Sequence, residues 1–272
     1  MIWLLAACAA PQTQLVAPDP AADGLEGRDG PHGAVLVAAS VQARVVERLP
    51  VDLVVPAEGA GPWPSVILVQ GGFVTPERYH WLGAHLATRG YAVVLPHHDL
   101  DLAITEVDDG VLAWRALVDH PVYADTFAAP VAALGHSLGG VVAALSWAAH
   151  DDIDALGLFA SYPAGDGPVT ARPGSPVLVV AGSTDGSALP ADVAAGFERL
   201  RDPAWYASID GMNHYAWTDD ASEADLDGDG PLGRPLDEVR VDALWAVDVW
   251  LDHALLGAPI EWVFPDTIGT TP

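Results

Sequence analysis

Apolar residues recur along this chain in two alternating rhythms. Short uninterrupted apolar runs, SVILVQ (65–70), YAVVLP (91–96), PVAALG (130–135), IDALGLFAS (153–161), PVLVVAGSTD (176–185) and WYASIDG (205–211), read as strands buried on both faces. Between them lie stretches with apolar residues at helical spacing: PERYHWLGAHLATRG ending at Gly90, 107–120 ending before Pro121, 138–149, 191–200 and 237–257. Ahead of these, VQARVVERL and PVDLVVPA alternate polar and apolar positions, and Pro50 between them predicts a turn joining two antiparallel strands. Strand–helix alternation with continuously apolar strands predicts the α/β class, a mostly parallel central sheet with helices on both faces. In such a sheet functional groups gather beyond the carboxyl ends of the strands.

That expectation directs attention to LGHSLGG (134–140), which sits where the strand at 130–135 must become the helix at 138–149. Gly135 and Gly139 flank Ser137 in a G-x-S-x-G pattern. This is the spacing of a nucleophile elbow, in which a sharp turn strains the central residue and leaves room for bulk on neither side. A serine hydroxyl needs a base, usually histidine. Of ten histidines, His32 lies in the N-terminal arm. His80, His85, His120, His150 and His253 lie on or at the ends of predicted helices. His136 adjoins the serine, where neighbouring side chains diverge. His214 follows the last parallel strand in a loop long enough to cross the strand tips, and is the expected base. Asp185, directly after another central strand and between Ser137 and His214 in the chain, is the expected carboxylate partner; Asp210 and Asp166 are its rivals. The oxyanion donors expected are the backbone N–H groups of Leu138 and of Phe73 in the Gln70-Gly71-Gly72-Phe73 loop, with Gly72 as runner-up. Gly72, His97, His98, His136, Tyr215 and Trp217 are the candidate pocket lining.

LVQGGF, WLGAHLATRGYAVVLPHHD, ALGHSLGG, PVLVVAGSTD and IDGMNHYAW occur in this order over roughly residues 42–256. Together they resemble the α/β-hydrolase superfamily. They are most similar to its compact branch of dienelactone-hydrolase-like, chlorophyllase-like, platelet-activating-factor-acetylhydrolase-like and cutinase-like polyester-hydrolysing enzymes. The resemblance implies Ser137 as nucleophile, Asp185 and His214 as its relay, and the Phe73 and Leu138 amides as oxyanion donors. It implies a hydrolase of carboxylic esters working through an acyl-enzyme without a cofactor. Dienelactone hydrolases proper use a cysteine nucleophile, so the serine argues against that activity. Residues 161–175 leave little room for the helical lid that many lipases insert, so no cap domain is expected.

Charge narrows the partners. The 272-residue chain carries 37 acidic and 11 basic residues, a formal −26, and every basic residue is an arginine. Nucleic acid and anionic membrane surfaces would be repelled; the expected partner is a small-molecule or polymeric ester. The N-terminus, MIWLLAACAAPQTQ, ends a short apolar run at Leu5-Ala6-Ala7-Cys8, which looks like the lipobox of bacterial lipoprotein signal peptides. The expected organisation is therefore a signal peptide over 1–8 with lipidation at Cys8, an arm over 9–40, a catalytic domain over 41–257 and a tail over 258–272, in a lipid-anchored extracytoplasmic protein. A cytoplasmic protein is the alternative. A lone cysteine allows neither an intrachain disulfide nor a thiolate metal cluster.

Among metal signals, His97-His98-Asp99 are adjacent and do not converge on one ion. Asp225, Asp227 and Asp229 in DLDGDG match the opening of a calcium loop, but position twelve is Leu236 rather than glutamate, so no EF-hand is expected; a solvated acidic turn without a metal is the expectation, with a partial calcium site that orders the loop as its alternative. Two other functions fit the same residues: a non-catalytic lipoprotein that uses the fold as a binding surface, and an acyltransferase or perhydrolase with the same triad.

Overall fold

The computed structural model describes residues 30–44, 47–165, 174–260 and 266–270. The expected lipobox cysteine, Cys8, and the rival carboxylate Asp166 lie outside these residues.

In chain order the elements are β1 (Ala34–Arg44), β2 (Glu47–Pro56), β3 (Trp63–Val69), α1 (His80–Thr88), β4 (Ala92–Pro96) and α2 (Asp109–Val118). Next come β5 (Phe127–His136), α3 (Leu138–Ala149), β6 (Ala155–Phe159), β7 (Val177–Gly182), α4 (Pro190–Phe197) and β8 (Ala204–Ile209), and then α5 (Glu223–Leu226), α6 (Leu236–Leu256) and β9 (Ile268–Gly269). The strands form one nine-stranded sheet in the order β1-β2-β4-β3-β5-β6-β7-β8-β9. The run from β4 to β8 is parallel, and β1, β2 and β9 are antiparallel additions at the edges.

The continuous apolar runs are explained by two cores, one on each face of the sheet. Val66 and Leu68 of β3 and Ala132 and Leu134 of β5 pack beneath α1 and α6, with Leu82, Leu86, Val247 and Trp250. Their neighbours Ile67, Val69, Val131 and Ala133 point the other way, against Val111, Leu117, Val142 and Trp147 of α2 and α3. Because successive residues of a strand face opposite sides, a strand covered on both must be apolar at every position. Among the described residues there is no separate cap.

Two boundaries differ from expectation. The first strand starts at Ala34, inside the segment read as an arm, and the hairpin reverses between Arg44 and Glu47 rather than at Pro50. Pro50 is accommodated inside β2, where it pairs with Ser40; its carbonyl accepts from the His97 N–H at 3.0 Å. A proline in an alternating segment predicts a break, whereas a strand near the sheet edge tolerates the missing N–H. The C-terminal tail adds β9, with Ser208↔Gly269 and Ile209↔Ile268 in register. A two-residue strand is too short to leave a periodic signal.

A candidate active site at the carboxyl ends of the parallel strands

The turn from β5 into α3 is built around Ser137, whose backbone (φ 54°, ψ −125°) lies where side chains rarely go. A residue held there costs of order 1–3 kcal/mol and must be supported by its surroundings. The Ser137 N–H donates to the Phe159 carbonyl at 2.9 Å and its carbonyl accepts from the Gly140 N–H at 3.0 Å and from the Ser161 hydroxyl at 2.6 Å. A Cβ at Gly135 would lie 2.2 Å from the Gly139 carbonyl oxygen, and one at Gly139 only 2.3 Å from that of Gln70. The two glycines are thus a steric requirement of the turn. Ser137 itself is partly exposed above them.

The loop after β3 lies directly against this elbow. A Cβ at Gly71 would sit 3.4 Å from Ser137 Cβ, and one at Gly72 3.1 Å from Leu138 Cδ2. The Gly71 N–H donates to Tyr79 Oη, the Val74 N–H to the Gly71 carbonyl and the Phe73 N–H to the Asp101 carbonyl, at 2.9, 3.2 and 2.9 Å. Phe73, expected as an oxyanion donor, therefore has its N–H engaged, and its backbone is turned to φ 61°. Of the N–H groups of residues 71–74, that of Gly72 alone is not taken up by a hydrogen bond among the described residues. The sequence could not distinguish the two neighbours because the Phe73–Asp101 bond spans two loops.

His214 and Asp185 meet across the tips of β7 and β8. His214 Nδ1 donates to Asp185 Oδ2 at 2.9 Å, with both side chains buried. The other carboxylate oxygen, Oδ1, accepts from the Ser187 and Ala188 N–H groups at 2.8 and 2.6 Å. Two backbone donors and an imidazole thus hold Asp185 as an acceptor in a fixed pose. The rival Asp210 instead takes the Ser183 hydroxyl at 3.3 Å. The Ser137 hydroxyl and His214 share no hydrogen bond among the described residues.

Two further groups pin these loops, and the sequence did not assign them that role. The Tyr79 hydroxyl, having accepted from Gly71, donates to His136 Nδ1 at 2.8 Å. This leaves His136 Nε2–H to donate to the His214 carbonyl at 3.1 Å. His136 therefore joins the glycine loop to the loop of the base, its ring centroid 4.6 Å from that of His214. Asp229 accepts from the backbone N–H groups of Gly186, His214, Gly230 and Tyr215 at 2.9, 3.2, 2.7 and 3.2 Å. One carboxylate thereby clasps the segments that carry Asp185 and His214.

In the acidic DLDGDG segment Asp229 is turned towards backbone donors, while Asp225 closes a capping box with Ser222 at the start of α5 and takes Arg78 Nη1 at 3.1 Å.

The pocket candidates divide. Tyr215 is half-buried beside His214, with ring centroids 5.3 Å apart. Trp217 is buried and stacks on Phe159 at 4.3 Å, so it belongs to the core. His136 is buried in the network just described. His98 is buried too, its Nδ1 3.0 Å from Gln70 Oε1. His97 turns towards β2, with Nε2 3.2 Å from Asp52 Oδ2. Position beyond a strand end was a fair guide to proximity but not to side-chain direction.

Burial, and then the neighbouring His214, holds the His136 pKa well below the ordinary histidine value. An unfolded chain would protonate this residue near pH 6.5. Below that pH the unfolded state binds the extra proton, so stability falls as pH drops. The urea midpoint is expected to be lower at pH 5 than at pH 7.5, and His136→Gln should reduce that difference. An equal pH dependence in wild type and variant would show that His136 is not its source.

A family model described as the alpha/beta hydrolase family matches residues 65–224, more than half of the chain. No curated protein matches the chain significantly. The matched span contains most of β3, all of β4 to β8, the elbow, Asp185 and His214.

Proposed function

The chain belongs to the alpha/beta hydrolase family, and from that membership we propose that it is a serine hydrolase cleaving carboxylic esters through a covalent acyl-enzyme. The observation carrying this reading is the buried Asp185–His214 pair, joined at 2.9 Å, at the same end of the sheet as a serine held on a strained, glycine-flanked elbow.

In the proposed reaction Ser137 Oγ attacks the ester carbonyl carbon while its proton passes to Nε2 of His214. Asp185, bonded to Nδ1, fixes the tautomer that leaves Nε2 able to accept and stabilises the imidazolium that forms. The negative charge developing on the carbonyl oxygen is met by the Leu138 N–H, at the positive end of α3, and by the Gly72 N–H. Collapse of the tetrahedral intermediate breaks the bond to the alcohol oxygen, which leaves with the proton from His214. Water then repeats the attack on the acyl-enzyme, His214 again taking and returning a proton, and releases the acid and free Ser137.

An apolar rim favours a neutral substrate with hydrocarbon character. Phe73 is 75 % and Leu100 83 % exposed, and the Phe73–Asp101 bond holds their two loops together at the edge of the glycine loop. Exposed large apolar side chains in positive-φ backbone are unfavourable in water, and such conformations concentrate at functional sites.

A fluorophosphonate probe tests the reading. It should form one adduct, located on the peptide containing Ser137, and the labelled protein should no longer hydrolyse p-nitrophenyl esters. Absence of any adduct, together with no turnover across esters of varied acyl chain and leaving group, would favour a binding protein with this fold.

A further inference from the structure

A second cluster of chemically capable side chains lies away from the serine, around Asp52. Asp52 stands in β2 between Val51 and Leu53, where a polar residue interrupts an apolar run, and is only 6 % exposed. Its Oδ2 lies 2.8 Å from His80 Nε2 and 3.2 Å from His97 Nε2. A carboxylate oxygen of Glu77 joins them, such that ligand atoms of Asp52, Glu77 and His97 all lie within 4.8 Å of one another.

The four residues come from three separate segments: β2, the turn of 77–80 that leads into α1, and the residue following β4. Backbone pairing fixes their approach, because Asp52 is in register with Leu95 and the His97 N–H is bonded to the Pro50 carbonyl. Glu77 and His80, three apart, share one side of a helical turn. Asp52, Glu77 and His97 offer one imidazole nitrogen and two carboxylates, three protein ligands to which water would add a fourth, while His80 bonds Asp52 from outside that group. Ligands about 2.0 Å from a tetrahedral zinc ion are about 3.3 Å from each other, close to the 3.2 Å between Asp52 Oδ2 and His97 Nε2.

We propose that Asp52, Glu77 and His97, with His80 holding Asp52 in place, form a binding site for a divalent transition-metal ion, with zinc the best match to the donors. Imidazole nitrogens favour zinc over calcium or magnesium, which take all-oxygen shells. Two carboxylates and a neutral imidazole carry a net charge of −2, which one zinc ion balances. The ion would tie the second strand, the end of β4 and the turn after the glycine loop to one another, so its effect is on the stability of that corner.

Competition against a chromogenic chelator tests the site on the full chain. One equivalent of Zn2+ should bind, and Co2+ should give the visible absorption of a tetrahedral centre. The Zn2+ dissociation constant should rise by about tenfold or more in Glu77→Gln, a change at an exposed side chain that leaves the fold intact. It should rise further in the His80→Ala/His97→Ala double variant, with the thermal shift caused by Zn2+ lost in parallel. Failure of wild type to bind a stoichiometric ion would overturn the proposal. So would equal binding by wild type, Glu77→Gln and the double variant, since the ion would then sit elsewhere on this acidic surface.

Discussion

Ser137→Ala is expected to lower kcat for a short p-nitrophenyl ester by about 10^4 to 10^6-fold while leaving KM within a few-fold. The hydroxyl contributes nothing to the fold: the elbow is held through the Ser137 N–H and carbonyl, which an alanine retains. Its removal abolishes the nucleophile and makes the Asp185–His214 pair useless for acyl transfer, so the loss should be nearly the whole of the catalytic effect. His214→Ala should fall in the same range, and combining the two should add little, because members of one relay act as a unit. The circular dichroism spectrum and melting temperature of Ser137→Ala should match wild type. Hydrolysis by the purified variant within about tenfold of wild type would dispose of the proposed mechanism, whatever the fold.

The second large effect concerns space rather than chemistry. Gly139→Ala places a methyl group 2.3 Å from the Gln70 carbonyl oxygen and 2.4 Å from that of Val69. Both obstacles are backbone at the end of β3, a strand paired on each side with β4 and β5. Neither can rotate away as a side chain would, so the elbow and the glycine loop must separate. A cost of roughly 3 kcal/mol or more in unfolding free energy is expected. Displacement by about 1 Å at the nucleophile should lower kcat by roughly 100-fold in whatever fraction stays folded. Urea unfolding and the kinetics of the soluble fraction measure the two parts. Gly257→Ala, at the end of α6, is the control: among the described residues it has no neighbour within 4 Å of an added Cβ, although its positive φ carries a small cost of its own. A Gly139→Ala protein as stable and active as wild type would mean that the close approach of these segments is not required.

Much of this architecture was legible before any coordinates. Covering a parallel sheet on both faces demands apolar residues at every strand position, and β3 to β7 carry that demand openly. The G-x-S-x-G spacing is equally local, since the clash between Gly135 and Gly139 arises within a few residues. That Ser137, Asp185 and His214 share one end of the sheet could be foreseen for a related reason: each lies just beyond a strand, and parallel strands bring their trailing loops to one end.

Chain order does not encode which way a side chain turns once it arrives there. Trp217 was expected beside the substrate and is stacked in the core; Phe73 was expected to offer its N–H and gives it to Asp101. His136 and Asp229 were noticed for other reasons, yet their hydrogen bonds hold the loops of the site together. Asp52 gave no sign in the sequence of meeting both His80 and His97. Each of these depends on contacts between residues far apart in sequence, and such contacts are set by the packing of loops and strand edges, where hydrophobic periodicity carries no information. Burial acts position by position, so the layers, the sheet core and the residue types at the strand ends follow from residue order alone. The partners do not, because a hydrogen bond requires two groups within about 3 Å and the distance between remote loops is a property of the whole fold.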